Sequence, residues 1–231
     1  MLSKFDQTSS SGSRVHKQLA EEPILEYKLL ILGDPMVGIS TFIKRFKSFQ
    51  SDSRFFAHSG LTIFPLTFET NHGKIRFNIW DFPSSARRIG FREKNYIGTD
   101  CAILMFDLTS RITYKNIPRW HRDCSGICEK IPMVLVGNKI DDPKKKIKAR
   151  HVTFGKKKCL EYFETSAKAN YNVIEPFLYL MRKLVGDSEL EILEYPELEL
   201  PEIEITSELT ATLIEEKFRV SYSPPHSDDD F

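Results

Sequence analysis

Three short runs of apolar residues are spaced along the chain, and turn-forming residues bound each of them. The runs are "YKLLIL" (27–32), "CAILMFDL" (101–108) and "PMVLVG" (132–137). Continuous apolar runs of this length are typical of strands buried on both faces of a parallel sheet. Two further runs, "LTIFPLTFET" (61–70) and "IRFNIWD" (75–81), flank the turn "NHGK" and predict one antiparallel edge.

Helical periodicity appears between these runs. Apolar residues recur at helical spacing from 114 to 128 and from 173 to 184, and "TFIKRF" after the first strand also reads as a helix. Strands that alternate with helices predict an open α/β sheet with helices on both faces. In such sheets ligands bind beyond the carboxyl ends of the strands.

The two ends of the chain have a different character from its middle. Residues 1–24 are polar and Ser-rich and predict a flexible arm ahead of one domain at 25–187. Residues 188–231 predict an acidic extension, with a short amphipathic helix within 207–220 and a disordered "DDDF" end.

The charged residues are unevenly distributed along the chain. The chain has 231 residues, 41% hydrophobic and 28% charged, with a formal net charge of +1. Eight basic residues and no acidic one lie in 144–158, and nine acidic residues and no basic one lie in 187–208. Each block reads either as a solvated face or as a surface that meets the other block or a partner.

Anchoring signals are not found in the sequence. No apolar run approaches the ~20 residues that span a bilayer. The second residue is Leu2, and the "SDDDF" end has no cysteine for prenylation. The four cysteines form no CxxC pair and predict a reducing compartment. We expect a soluble, unanchored monomer that does not bind nucleic acid.

The segment "GDPMVGIS" (33–40) lies between the first strand and the first helix. A strand–loop–helix frame with Gly33 and Gly38 is the context of a phosphate cradle, and Ser40 stands where a hydroxyl would bind Mg²⁺. Against this, Ile39 occupies the lysine position and Pro35 removes one backbone donor. Two glycines five apart are a weak signal by themselves.

Two later loops add base-reading chemistry. "NKID" (138–141) follows a strand, and the Asp141 carboxylate can accept both N–H donors of a guanine edge, a pair that adenine lacks. "ETSAK" (164–168) offers the small Ser166 and Ala167, which let backbone N–H groups approach a base. Three signals in this order are much stronger than any one of them.

Five segments together resemble small GTPases of the Ran type, more closely than those of the Ras, Rho or Rab branches. They are "KLLILGDPMVGISTFIKRF", "IRFNIWD", "CAILMFDLTSRITYKNIPRWHRD", "IPMVLVGNKID" and "ETSAKANYN". The resemblance covers residues 27–187 in register, and the acidic end is also similar to that family's terminus. It implies a P-loop NTPase fold of the G-domain type, with a mixed six-stranded sheet in three layers and one antiparallel edge strand.

The resemblance also implies GTP or GDP as ligand and leaves Mg²⁺ open. The nucleotide-binding positions that it implies are Gly33, Asp34, Val37, Gly38, Ile39, Ser40, Thr41, Asn138, Lys139, Asp141, Ser166, Ala167 and Lys168. The implied metal ligands are Ser40 and Asp81.

Four departures from the family pattern fall on the phosphate end. Ile39 replaces the loop lysine, and His58 replaces the switch threonine that meets Mg²⁺. Ser84 replaces the glycine that senses the γ-phosphate, and Ser85 replaces the glutamine that orients the attacking water. A charge ~4 Å away contributes ~4 kcal/mol at an effective dielectric of ~20, so the lost lysine weakens phosphate binding ~10²- to 10³-fold. We therefore predict no catalytic residue, weak nucleotide binding and weak or absent hydrolysis.

Three functions remain open from the sequence. The first is a Ran-like GTP-binding protein of nucleocytoplasmic transport, impaired in hydrolysis and switching, that binds importin-β-type receptors and Ran-binding proteins in nucleus and cytoplasm. The second is a slow but active Ran-type GTPase. The third is a nucleotide-independent decoy or scaffold for Ran's partners.

Overall fold

A mixed β-sheet forms the centre of the computed structural model, which describes residues 23–47, 55–57, 61–82, 93–206 and 210–211. Its strand order is β2-β3-β4-β1-β5-β6-β7, with β8 also paired to β3. The strands are β1 Leu25–Leu32, β2 Phe55–Ala57, β3 Leu61–Thr70, β4 Gly73–Asp81, β5 Cys101–Asp107, β6 Met133–Asn138, β7 Glu161–Glu164 and β8 Ile192–Glu194.

The strand directions confirm the predicted fold class. β1 pairs in parallel with β4 and β5, and β5, β6 and β7 continue in parallel. β3 is antiparallel to β4. The six longer strands match the expected six-stranded sheet, and the three-residue strands β2 and β8 are additions on the outer side of β3.

Five helices connect the strands in the described ranges. They are α1 Ile39–Lys44, α2 Arg111–Lys115, α3 Ile117–Ser125, α4 Thr153–Lys158 and α5 Glu175–Val185. The single helix predicted over 114–128 is wrong in its extent, because the chain breaks at Asn116 into α2 and α3. Pro118 lies in the first turn of α3, where its missing N–H costs nothing but where it cannot continue the preceding helix.

Two hydrophobic cores lie on the opposite faces of the sheet. Alternate residues of β1 divide between them, with Leu29 in the core that includes α1 and α5 and Leu30 in the core that includes α3. Phe177 of α5 contacts four other phenylalanine rings in the first core. Cys124 and Cys128 are both buried in the second core. The two cores give the three layers that the sequence predicts.

Residues 187–202, here called the strap, return along the domain after α5 ends at Gly186. Leu190 is fully buried, β8 pairs with the end of β3, and Leu198 bridges to Phe46. Nearly all of the predicted N-terminal arm and helix 207–220 lie outside the described residues. None of the helices in the described ranges combines the length and the hydropathy of a membrane span.

Acid should destabilise the fold through partly buried histidines. Burial, with Lys158 as the lesser cause, lowers the pKa of His121, and burial next to Arg150 lowers the pKa of His151. A lowered native pKa means that the unfolded chain binds the proton first, so the free energy of unfolding falls as pH drops below about 6.5. We expect the melting temperature to fall from about pH 7 to about pH 5.5, and the fall to be smaller in His121→Gln. An unchanged slope in that variant would contradict the assignment.

Candidate functional site

The loop at 33–38 leaves the carboxyl end of β1 and passes close to β5 and to the loop after β6. A Cβ on Gly33 would lie 2.3 Å from the backbone oxygen of Met105. Gly38 has a φ of +103°, and a Cβ there would lie 2.4 Å from Nδ2 of Asn138. Gly33 is therefore required by a close contact, and Gly38 by a close contact and by its left-handed backbone, independently of any ligand.

The lysine position of this loop points to the core instead of to a ligand. Ile39 is 1% exposed and belongs to the core cluster of α1 and α5. Pro35 has no N–H to donate. The N–H groups of Ile39, Ser40 and Thr41 precede the first hydrogen bond of α1, which runs from the N–H of Phe42 to the backbone oxygen of Gly38 at 2.8 Å. The loop thus keeps a row of backbone donors but has no cationic side chain of its own.

Asp34 is held by the helices on the other side of the loop. Its carboxylate accepts hydrogen bonds from Nδ2 of Asn116 at 2.6 Å and from Nε1 of Trp120 at 2.9 Å. The sequence places Asp34 among the nucleotide-binding positions. In the structure its side chain ties the loop to α3, and no cation neutralises it through these contacts.

Asn138 joins three loops at the base of the site. The residue is 1% exposed, and its Nδ2 donates to the backbone oxygen of Val37 at 3.0 Å. Its Oδ1 accepts from the backbone N–H of Ala167 at 3.1 Å and from Oγ1 of Thr165 at 3.3 Å. All of its hydrogen bonds are internal, so Asn138 positions the loops and does not reach a ligand through them.

Lys139 lies across the first loop in a left-handed conformation with a φ of +68°. Its Nζ donates to the backbone oxygen of Met36 at 2.8 Å and to Oδ2 of Asp107 at 2.7 Å. Asp107 ends the buried strand β5, and sequence reasoning missed it. The signal was present, because an aspartate at the carboxyl end of a parallel strand faces the ligand edge of the sheet.

Asp141 carries an unsatisfied acceptor. Its Oδ1 is buried and has no hydrogen-bond partner among the described residues. A buried acceptor without a donor destabilises a fold by about 1–3 kcal/mol, and such groups are rare in native proteins. A carboxylate oxygen can only accept, so any group that pairs with it must be a donor, such as a water or a guanine edge.

The loop at 164–168 closes the site from the side of β7. Ser166 is buried and exchanges two backbone hydrogen bonds with Tyr171, both 3.0 Å long. Ala167 is 3% exposed, whereas Lys168 is exposed and its backbone oxygen accepts from the N–H of Glu202 in the strap at 2.8 Å. The strap therefore touches the back of the same loop that meets Asn138.

The predicted metal side is less complete. Ser40 is exposed at the start of α1, and Asp81 ends β4, which is the parallel neighbour of β1. His58, Ser84 and Ser85 lie outside the described residues. Within the described ranges no group of three or more His, Cys, Asp or Glu side chains could hold a metal. One hydroxyl and one carboxylate fit a Mg²⁺ ion whose shell is otherwise water and phosphate, so this assignment stays a prediction.

The chain matches the model of a known protein family. The model described as the Ras family matches residues 28–186 of the chain. The match begins in β1 and ends at the residue that closes α5, and it includes all three loops of the site.

Proposed function

Because the chain belongs to the Ras family of small GTPases, we propose that it is a Ran-like GTP-binding protein of nucleocytoplasmic transport, impaired in GTP hydrolysis and in switching. The family membership implies a guanine nucleotide as ligand. The proposal rests on a contrast between the base end and the phosphate end of the site. Asp141 presents a buried acceptor without a donor, while Ile39 is packed in the core where a cation would serve the phosphates.

Each half of the site supports one part of this function. Asn138 holds the base loops together by hydrogen bonds to Val37 and Ala167. The phosphate loop keeps only backbone donors, which favour an anion much less than a lysine does in the same place. Binding then persists in weakened form, whereas hydrolysis and switching depend on the positions that Ser84 and Ser85 have replaced.

The Ran-like subtype draws support from the segment that contains α2 and α3. Asn116 and Trp120 come from "TSRITYKNIPRWHRD", the most Ran-like stretch of the sequence, and both hold Asp34 of the phosphate loop. For a protein of this subtype we propose a location in the nucleus and the cytoplasm. Binding to transport receptors of the importin-β type and to Ran-binding proteins belongs to the same proposal.

A basic cavity next to these helices supports acidic partners. It has a volume of about 490 Å³, and the residues that line it include Arg111, Lys115, Lys146 and Lys157. Its lining includes no Asp or Glu residue. The positive field is apparent at His151, whose pKa burial lowers first and Arg150 and Arg111 lower further. Acidic segments of a receptor, or the Asp residues at 228–230, complement this surface.

The nucleotide content of the purified protein tests the proposal. The full chain is denatured, the released small molecules are separated by ion-exchange chromatography, and GTP turnover is measured in a parallel sample. We expect guanine nucleotide well below one per chain and no turnover above the buffer background. Asp141→Asn, prepared in the same way, should release none.

Two results would favour the other functions. GTP turnover above background would contradict the impaired-enzyme proposal and favour a slow Ran-type GTPase. The buried Ile39 favours the scaffold as the second candidate. Complete absence of guanine nucleotide, together with undiminished binding of the Asp141→Asn variant to a purified importin-β-type receptor, would establish the scaffold instead.

A further inference from the structure

We propose that Thr153 is a phosphorylation site, and that the basic cavity beside α2 and α3 receives the phosphate group. The modification itself goes beyond the proposed function, whereas its effect on acidic partners rests on that function. Three observations support the site: the basic residues that precede Thr153, the exposure of its hydroxyl, and the cations that line the same cavity.

The sequence before Thr153 suits a kinase with an acidic substrate cleft. Arg150 lies three positions before the threonine, Lys148 lies five positions before it, and 144–158 holds no acidic residue. Kinases select their substrates partly by such charge patterns, because basic residues of the substrate pair with carboxylates of the kinase. Arg150 and Lys148 are both exposed, so a kinase can reach their charges.

The same spacing occurs at two other hydroxyls, and the structure favours neither. Arg45 precedes Ser48, and Arg122 precedes Ser125, by three positions. The guanidinium of Arg45 is almost fully buried and donates to the strap, so it is not available to a kinase. Oγ of Ser125 already donates to a backbone oxygen of α3 at 2.8 Å. Thr153 has neither obstacle.

Thr153 lies in a part of the fold that a kinase can reach. It is exposed at the first residue of α4, and its hydroxyl makes no hydrogen bond within the described part of the chain. Between β6 and α4 the described chain has no strand and a single short 3-10 helix, Ala149–His151. Such a segment opens locally at a lower cost than a strand inside the sheet does. Thr153 can therefore enter the substrate cleft of a kinase.

The reaction is a phosphoryl transfer from ATP. A bond forms between Oγ1 of Thr153 and the γ-phosphorus of Mg·ATP, and the bond from that phosphorus to the bridging oxygen of ADP breaks. ADP leaves with the electron pair of the broken bond, and the hydroxyl proton passes to the base of the kinase. The product is a phosphothreonine with a charge of about −1.5 to −2 near neutral pH and three strong acceptor oxygens.

The basic cavity fits this product. Arg111, Lys115 and Lys146 line it, and none of the three forms an ion pair with a carboxylate in the described chain. Thr153 lines the same cavity, whose volume of about 490 Å³ is large enough for a phosphate group. The lining includes no Asp or Glu, so no carboxylate of the cavity repels the new charge. A phosphate opposite such cations gains charge-assisted hydrogen bonds.

Tyr114 adds a neutral donor to the same cavity. Its hydroxyl oxygen accepts from the backbone N–H of Phe154 at 3.0 Å, and its own O–H has no acceptor within the described residues. Phe154 directly follows Thr153, so this contact holds the Tyr114 hydroxyl near the acceptor threonine. The phosphate thus meets a donor that is available as well as the cations.

Phosphorylation should weaken the binding of acidic partners. The phosphate pairs with the same cations that the proposed function assigns to acidic segments of a receptor. Because the new charge is covalently attached at the cavity, it competes at a high effective concentration. Thr153 thereby controls whether the basic cavity is open to a partner.

Treatment of the purified full chain with Mg·ATP and a kinase that selects arginine three positions before the acceptor tests the site. We expect one phosphate at Thr153, located by mass spectrometry of the digested chain, and none at this position in Thr153→Val. Arg150→Gln should slow the modification of Thr153 by at least about tenfold. Ser125→Ala is the matched control, and it should leave the rate at Thr153 unchanged.

A synthetic peptide of residues 147–158 separates the sequence from the fold. If the kinase modifies the peptide but not the full chain, or modifies neither, Thr153 is not a phosphorylation site of the folded protein. Where it modifies both, ³¹P NMR compares the second pKa of the phosphate in the folded chain and in urea. We expect this pKa to be lower in the folded chain, because the cations stabilise the dianion. Equal pKa values would show that the basic cavity does not receive the phosphate.

Titration with a peptide of residues 223–231, which ends in the acidic "SDDDF", separates the site from the proposed function. We expect the phosphorylated chain to bind this peptide at least about tenfold more weakly than the unmodified chain at low salt. Equal binding to both forms would contradict the control of the cavity by Thr153. If neither form binds the peptide, the acidic partner in the proposed function is wrong, and the phosphorylation site stands.

Discussion

Asp141→Asn is expected to weaken the binding of guanine compounds by at least about 10²-fold, which corresponds to about 2.7 kcal/mol. The carboxylate loses its role as a double acceptor, since the asparagine amide places a donor opposite the donors of guanine. Hydrogen bonds to a charged group contribute about 1.5–3 kcal/mol each, so two of them account for the loss. Titration with GDP and with guanosine measures it.

The same substitution should not destabilise the chain without ligand. Oδ1 of Asp141 is buried with no partner in the described residues, so neutralising the side chain removes an unfavourable group. We expect the free energy of unfolding to stay equal or to rise by up to about 1 kcal/mol. A loss of binding together with an equal or higher stability is the signature of a residue retained for its ligand.

Asp142→Asn is the matched control for this experiment. Its carboxylate already accepts a local hydrogen bond, from the backbone N–H of Lys144 at 2.8 Å. The change has the same chemistry at the neighbouring position, and it should leave guanine affinity within about threefold. Equal losses in the two variants would show that Asp141 has no special role.

Arg45→Ala is expected to lower the free energy of unfolding by about 2–3 kcal/mol. The side chain is almost fully buried and donates to Oδ1 of Asn170 at 2.7 Å and to Oε1 of Glu202 at 3.1 Å. It also donates to the backbone oxygens of Glu199, at 3.0 Å, and Leu200. Truncation leaves these partners without their donor and opens a space between α1 and the strap.

Urea unfolding measures this effect, and two further variants locate its cause. Arg45→Lys keeps the charge but cannot reach several acceptors with one planar fork, so it should recover only part of the loss. Lys47→Ala removes a neighbouring, exposed ion pair with Glu197 and should change the free energy of unfolding very little. If Arg45→Ala were as mild as Lys47→Ala, the strap would not depend on Arg45.

Much of the fold was predictable because burial leaves a simple mark on the sequence. Every residue of β5 and β6 is buried, and both strands read as apolar runs up to the polar residue that ends each of them. The break between α2 and α3 was missed because apolar spacing continues through it, while the local effect of Pro118 interrupts the backbone.

The strap shows where local patterns stop being informative. Its alternation of acidic and apolar residues excludes a regular long helix, yet nothing local predicts that Ile192 pairs with Thr70 across the sheet. Such contacts depend on distant partners, as do the hydrogen bonds between Arg45 and residues more than 150 positions away. Sequence reasoning had no signal for Arg45, whose neighbours in the chain are an ordinary amphipathic helix.

The site, like the fold, could be predicted from the sequence only in part. The three loops were recognisable because base recognition needs particular side chains in a fixed order. Asp34 and Asp107 took on roles that only the structure defines, since Asn116, Trp120 and Lys139 meet them from other elements. The sequence also could not show whether Ile39 points to the loop or to the core, because an isoleucine at the start of a helix suits either environment.

The outer side of β3 has a consequence for the behaviour of the chain in concentrated solution. A ten-residue edge strand offers unpaired backbone groups to any neighbouring molecule. Here β2 covers one end of it, β8 covers the other, and Pro65 between them has no N–H to add to a new ladder. Loss of the strap would bare the end at Glu69 and Thr70, so a truncated chain should form intermolecular β-sheet aggregates more readily than the full one.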